Sequence, residues 1–125
     1  MAKEKLFKVG TYIQAFNEIL NIDLPCIDIM QSVGLKIHVK KRHPACTKYL
    51  EDIALIITSP DYIGVNPREP NSIELVKRFN DNIQIGIKLD TKNDYLYVST
   101  LFDVKESKIQ SRESSGRLKQ FTSPS

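Results

Sequence analysis

Cysteine, histidine and long apolar runs are all in short supply. The 125-residue chain has only Cys26 and Cys46, placed in different parts of the sequence. Two separated thiols supply neither a disulfide framework nor a metal knuckle, which needs more ligands at closer spacing. Two buried or partly buried thiols in a reducing compartment are expected. No segment approaches the roughly 20 apolar residues that a membrane-crossing helix requires. The opening MAKEKLFKVG is charged and leads into no long apolar stretch, so no secretory signal is read there. A cytoplasmic protein with no membrane partner is the expectation. The motif HExxH is absent. Both histidines with Asp61 could in principle form a facial triad, but nothing in their spacing demands it, and neither metal nor other cofactor is expected.

Net charge is also missing from most of the chain. Residues 1–104 balance thirteen basic against thirteen acidic side chains, so the formal +3 resides in residues 105–125. That segment is Ser-rich, holds few large apolar residues and shows no clear periodicity. It reads as a basic flexible tail, able to hold RNA loosely by charge. Residues 1–104 read as a single domain, since 41% hydrophobic residues in patterned segments can bury one core.

What is present begins with KLFKVGTY, residues 5–12, a candidate edge strand, and Ala15–Leu20, a turn of helix. Asn21–Ile29 reads as a connection with a short strand, and Ser32 as a helix cap. The pattern becomes clearer from Leu35. Leu35, Val39 and Arg42 share one side of a helix that Pro44 ends, because the residue before a proline is pushed out of the helical region. A second helix is expected from Pro44 or Ala45 to about Ile57, which leaves His43 at the break. Ser72–Phe79, Ile83–Asp90 and Tyr95–Val104 read as an antiparallel meander. Pairing Asp90 with Tyr95 sets Lys88 opposite Tyr97, Ile87 opposite Val98 and Gly86 opposite Ser99. Gln84, Lys88, Tyr97 and Ser99 then share a polar face, a possible platform for phosphate and base, or an ordinary wet sheet face. Thr100 has the parity of the apolar face. The predicted fold class is α+β, with N-terminal helices packed on a C-terminal antiparallel β-meander.

Function is sought first in Leu35–Gly64. Both histidines, His38 and His43, lie there among Lys36, Lys40, Lys41, Arg42 and Lys48, and no acidic residue interrupts the cluster before Glu51. Imidazoles change charge between about pH 5 and 8, so a pair of them inside a cationic group could bind and cleave a phosphodiester. His43 beside Pro44 could equally be a structural cap.

The run IHVKKRHPACTKYLEDIALIITSPDYIG, followed by IQIGIKLDTKNDYLYVSTLFDV, resembles the phage-associated nucleases grouped with the barnase, EndoU, colicin E5/D and RelE-like superfamily. The matching features are HxxxRH at His38, Arg42 and His43, then Pro60, Asp61, Tyr62 and Ile63. Lys88, Tyr97, Ser99 and Thr100 follow on the late strands. The resemblance covers about residues 35–104 and implies a barnase/RelE-like fold and a metal-independent ribonuclease. In such an enzyme a base removes the proton of the 2′-hydroxyl, an acid protonates the leaving 5′-oxygen, and cations stabilise the phosphorane. The resemblance implies that His38 is base or acid and that His43 is its partner or orients it. Arg42 and Lys88 would meet phosphate, and Thr100 would hydrogen-bond to phosphate or histidine. Lys36, Lys40, Lys41, Tyr97 and Ser99 complete the expected substrate surface. Two other classes stay open: a non-catalytic RNA-binding module, and a protein-interaction domain using exposed aromatics such as Tyr62 or Tyr97. RNA and an inhibitor or regulatory protein are the expected partners.

Overall fold

The computed structural model describes residues 5–69 and 71–122. Seven strands form one sheet: β1 (Leu6–Thr11), β2 (Asp28–Ser32), β3 (Tyr62–Val65), β4 (Ser72–Arg78), β5 (Asn82–Asp90), β6 (Tyr95–Asp103) and β7 (Leu118–Gln120). The helices are α1 (Gln14–Leu20), α2 (Val33–Arg42), α3 (Ile53–Thr58) and α4 (Glu106–Ser115), with a 3-10 helix over Pro44–Asp52. The strand order is β1-β2-β6-β5-β4-β3-β7.

β3 to β6 follow from local pattern. Ile83, Ile85 and Ile87 alternate with Gln84, Gly86 and Lys88, and only the isoleucines belong to the main core. That core also takes Ile73 and Leu75 of β4, Ile29 of β2, Leu96, Val98 and Leu101 of β6, and Phe16, Leu35, Val39, Ile53, Ile56 and Ile57 from the helices. Each fully buried isoleucine stabilises the fold by about 1.5–3 kcal/mol. A smaller cluster lies on the opposite parity, where Tyr62, Val76, Val104 and Leu118 pack with Ile109 of α4.

Four expectations are corrected. The sheet is mixed, because β2 runs parallel to β6 through Ile29–Leu96 and Met30–Tyr97. The helices are not all N-terminal, since α4 follows the last strand of the meander. Residues 105–122, expected as part of a flexible tail, form α4 and β7, and β7 pairs with β3; residues 123–125 lie outside the described residues. α4 buries little more than Ile109, too small a stripe to give a helical period, and β7 is only three residues long. The segment expected as a second helix is also divided, beginning as a 3-10 helix and continuing as α3. Ser32 stands at the N-cap of α2 but makes no side-chain cap bond.

α4 is fastened at its first turn. Glu106 accepts two bonds from the Arg78 guanidinium, one of them at 3.0 Å, and others from Asn82 Nδ2 at 3.1 Å and Gln110 Nε2 at 2.6 Å. The Arg78 bonds chiefly, then Gln110, draw its carboxyl from the ordinary 4.5 down to about 2. A depressed carboxyl contributes stability that is complete above its unfolded value and lost as pH falls through the folded one. Attachment of α4 should therefore weaken between about pH 4.5 and 2. Amide exchange in residues 106–115 should accelerate over that window. Glu106→Gln should flatten the change, and a variant with the wild-type pH profile would refute the assignment.

Candidate active site

The face of the sheet away from α1–α3 carries a cleft of about 680 Å³. Its floor is a lattice of cross-strand rows. Ser72, Lys88 and Tyr97 form one row, Glu74, Gly86 and Thr100 the next, and Gln84 and Phe102 a third, whose β4 member Val76 is buried in the smaller cluster. Loop residues Asn66–Glu69 wall one part, while Lys108 and Arg112 of α4 and Arg117 before β7 wall another. The lining holds five cationic side chains, Arg68, Lys88, Lys108, Arg112 and Arg117, against Glu69 and Glu74. Such a concave cationic surface concentrates the field on an anionic ligand.

The middle row is shaped by a bulge. The β5–β6 register runs as expected from Asp90–Tyr95 to Ile87–Val98, then shifts so that Gly86 pairs with Thr100 and not with Ser99. One extra residue on β6 inverts the parity beyond it. Thr100 and Phe102 turn into the cleft and Leu101 enters the core, contrary to strict alternation. Gly86 leaves the hollow that the bulge needs. A Cβ there would lie 2.7 Å from Ser99 Oγ and 3.2 Å from Thr100 Cγ2. Gly86→Ala should displace the Ser99 hydroxyl, which can rotate, so folding should survive with a loss of about 1–2 kcal/mol while ligand binding in the cleft weakens. A denaturant midpoint measured beside ligand affinity checks this, and unchanged affinity would contradict it.

Around the hollow, most polar groups are held. Glu74, 2% exposed, accepts a bidentate pair from Arg117, with Nε to Oε2 at 3.1 Å. Arg112 Nη1 donates to Gln84 Oε1 at 3.1 Å. Lys88 Nζ meets Glu69 Oε2 at 2.7 Å, and that bond raises the lysine's affinity for its proton. A buried arginine–carboxylate fork is geometrically specific, so this pair fixes one wall of the cleft.

The histidines lie on the β6 side, and neither lines the main cleft itself. Past Tyr97, β6 has no further pairing with β2, because the chain turns into α2 at Val33. α2 packs along the strand through Leu35 and Val39. His38 lines an adjoining cleft of about 430 Å³ with Ser32, Asp90, Tyr95, Tyr97 and Ser99. Tyr97 and Ser99 border both clefts. His43, at the break between α2 and the 3-10 helix with φ −138°, packs its ring 5.8 Å from that of Phe102. The two imidazole centroids are 6.2 Å apart.

Of the residues expected at the site, the structure thus gathers His38, His43, Lys88, Tyr97, Ser99 and Thr100 about β6. Lys36, Lys40, Lys41 and Arg42 are exposed on α2 and line neither cleft. With Leu35 and Val39 facing the core, helical geometry turns Lys36, Lys40 and Lys41 away from the sheet. Tyr62, expected as an exposed aromatic, is buried with its hydroxyl accepting from Arg78 Nη2 at 3.0 Å. The sequence reading missed Glu74, Gly86, Lys108, Arg112 and Arg117 as site residues. Strand parity already set Glu74 with Gln84, and Gly116, left-handed at φ 86°, ends α4 as a glycine C-cap would. Cys46 is buried and Cys26 exposed. Burial, then Asp103, raises the Cys46 thiol, which disfavours a thiolate nucleophile there. Among the described residues, no three His, Cys, Asp or Glu side chains are grouped to hold a metal ion. Likewise, no helix there is long and apolar enough to cross a membrane.

Neither a curated protein nor a solved structure matches the chain. A family model does, over residues 7–111, and it spans both histidines, the β4–β6 floor of the cleft and most of α4. That match extends the resemblance of residues 35–104 to nearly the whole described fold, and the chain belongs to the phage-Barnase-EndoU-ColicinE5/D-RelE-like nuclease 3 family.

Proposed function

We propose that the protein is a metal-independent ribonuclease that cleaves RNA by attack of the 2′-hydroxyl on the adjacent phosphorus, as a phage or mobile-element effector. The observation that carries this reading is the placing of two imidazoles along the bulged edge of β6, beside a cleft lined by five cationic side chains. Their 6.2 Å separation suits two groups that act on oxygens of one phosphate. One takes the 2′-hydroxyl proton as the new phosphorus–oxygen bond forms, and the other protonates the departing 5′-oxygen. The products are a 2′,3′-cyclic phosphate and a 5′-hydroxyl. His38, open to the second cleft beside Ser99, is assigned to one proton transfer and His43 to the other. Lys88 and Arg112 meet the phosphate, Arg117 holds the wall through Glu74, and the Ser99 and Thr100 hydroxyls donate to non-bridging oxygens. Tyr97, between the two clefts, offers its ring to a base.

A regulatory or inhibitor protein is favoured by a different surface. Val33 and Ile37 on α2 are 52% and 68% exposed and stand among the lysines that line neither cleft. Apolar side chains beside exposed cations suit an acidic protein partner.

The ribonuclease reading is tested by incubating the protein with total RNA and with tRNA in EDTA and analysing the product ends. Cyclic 2′,3′-phosphate ends are expected. RNA that stays intact in EDTA and after metal is restored would overturn the reading, and cleavage only after metal is restored would overturn the metal-independent mechanism.

A further inference from the structure

α4 keeps its charges on separate sides. Lys108, Ser111, Arg112 and Ser115 stand at i, i+3, i+4 and i+7, one face of a helix. Glu106, Gln110 and Glu113 occupy the other side and are already engaged: Glu106 as described, and Glu113 Oε2 accepting from Gln120 Nε2 at 2.8 Å. The cationic side opens onto two surfaces. Lys108, Arg112 and Arg117 border the main cleft, and the same three join Ser111 and Ser115 around a shallower depression of about 350 Å³. Arg112 and Arg117 are held in place by Gln84 and Glu74, whereas the Lys108 ammonium has no partner among the described residues.

We infer that this face of α4 is a second phosphate-binding track, continuous with the main cleft, that takes the polynucleotide backbone to one side of the reacting phosphodiester. The inference rests on the ribonuclease reading for the identity of the polymer. Three observations support it. Lys108, Ser111 and Arg112 carry donors for phosphate, whereas the Ser115 hydroxyl already donates to the Arg112 carbonyl at 3.0 Å; the acids of the helix are turned away, and three cations are shared with the cleft, so a chain lying in one surface continues onto the other. Guanidinium groups held by neighbours lose little entropy on meeting a phosphate oxygen. The substrate is accordingly an extended strand, with contacts on at least one phosphate beyond the one that is broken.

The test measures binding of labelled 2′-O-methyl oligoribonucleotides, which lack the attacking hydroxyl, at lengths of two and nine nucleotides. The wild type should hold the longer one on the order of tenfold more tightly at low salt, with a steeper salt dependence. Lys108→Ala combined with Ser111→Glu should remove most of that length advantage. Lys108→Gln, which keeps an N–H donor without the charge, should remove a smaller part. An unchanged advantage, or an equal loss for both lengths, would overturn the track and leave the ribonuclease reading standing. A wild type that binds neither oligonucleotide would overturn both.

Discussion

His38→Ala is expected to lower RNA cleavage by about 10²–10⁴-fold while leaving the fold within about 0.5 kcal/mol of wild type. The stability half follows from position. His38 is exposed on α2 and its one ring neighbour, His43, is 6.2 Å away, so alanine removes no buried contact and opens no cavity. The activity half follows from the loss of a proton acceptor or donor at the edge of the cleft, which water replaces poorly. Leaving-group chemistry separates the two roles. A nucleoside 3′-phosphodiester with an activated aryl leaving group needs no acid, so it should restore the rate if His38 is the acid and fail to do so if His38 is the base. His43→Ala should show the complementary behaviour. Cleavage in EDTA by folded His38→Ala at the wild-type rate would remove His38 from the mechanism and, with it, the present assignment of the site.

Gly64→Ala should destabilise the protein by about 3 kcal/mol and release the C-terminal segment. Gly64 lies in the same cross-strand row as the cleft's centre, paired with Glu74 on one side and Leu118 on the other. A Cβ at this position would lie 2.3 Å from the Arg117 carbonyl oxygen. Backbone cannot rotate away as a side chain does, so β7 must separate from β3 or the sheet must distort. Either movement draws Arg117 from Glu74, whose side chain is only 3% exposed and would be left as a buried carboxylate without its cation. The urea midpoint should fall, and amide protection at Leu118 and across α4 should be lost before that of β4 and β5. Arg117→Met should share part of the penalty, about 2 kcal/mol, and Glu74→Gln in the same chain should return some of it. A Gly64→Ala protein with wild-type midpoint and intact Leu118 protection would show that this row is not closely packed.

The boundary between what was legible and what was not follows the range of the interactions. β4, β5 and β6 were readable because an alternating apolar pattern and short connections are local, and hairpin register from Asp90–Tyr95 to Ile87–Val98 follows from them. The bulge was harder to read. Its trace is the three-residue step from Val98 to Leu101, both in the core, where strict alternation would leave Leu101 outside. The break at His43 was readable because Pro44 constrains its predecessor through sterics alone. The parallel pairing of β2 with β6 had no local sign, since the partners are joined by more than sixty residues of intervening chain.

By itself, then, the sequence determined the meander, the helix break that presents His43, the grouping of Lys88 and Tyr97 on one face, and the family. Those follow from the two-residue strand period, the geometry of proline and a motif held in one continuous stretch. Tertiary structure alone decided which cations join Lys88 in the cleft. Lys36, Lys40 and Lys41 sit beside the histidines in sequence but are turned outward by Leu35 and Val39. Arg112 and Arg117, far along the chain, are brought in because Ile109 and Leu118 bury against Tyr62, Val76 and Val104. Charge follows wherever apolar burial carries its backbone, and that burial is settled by partners distant in sequence.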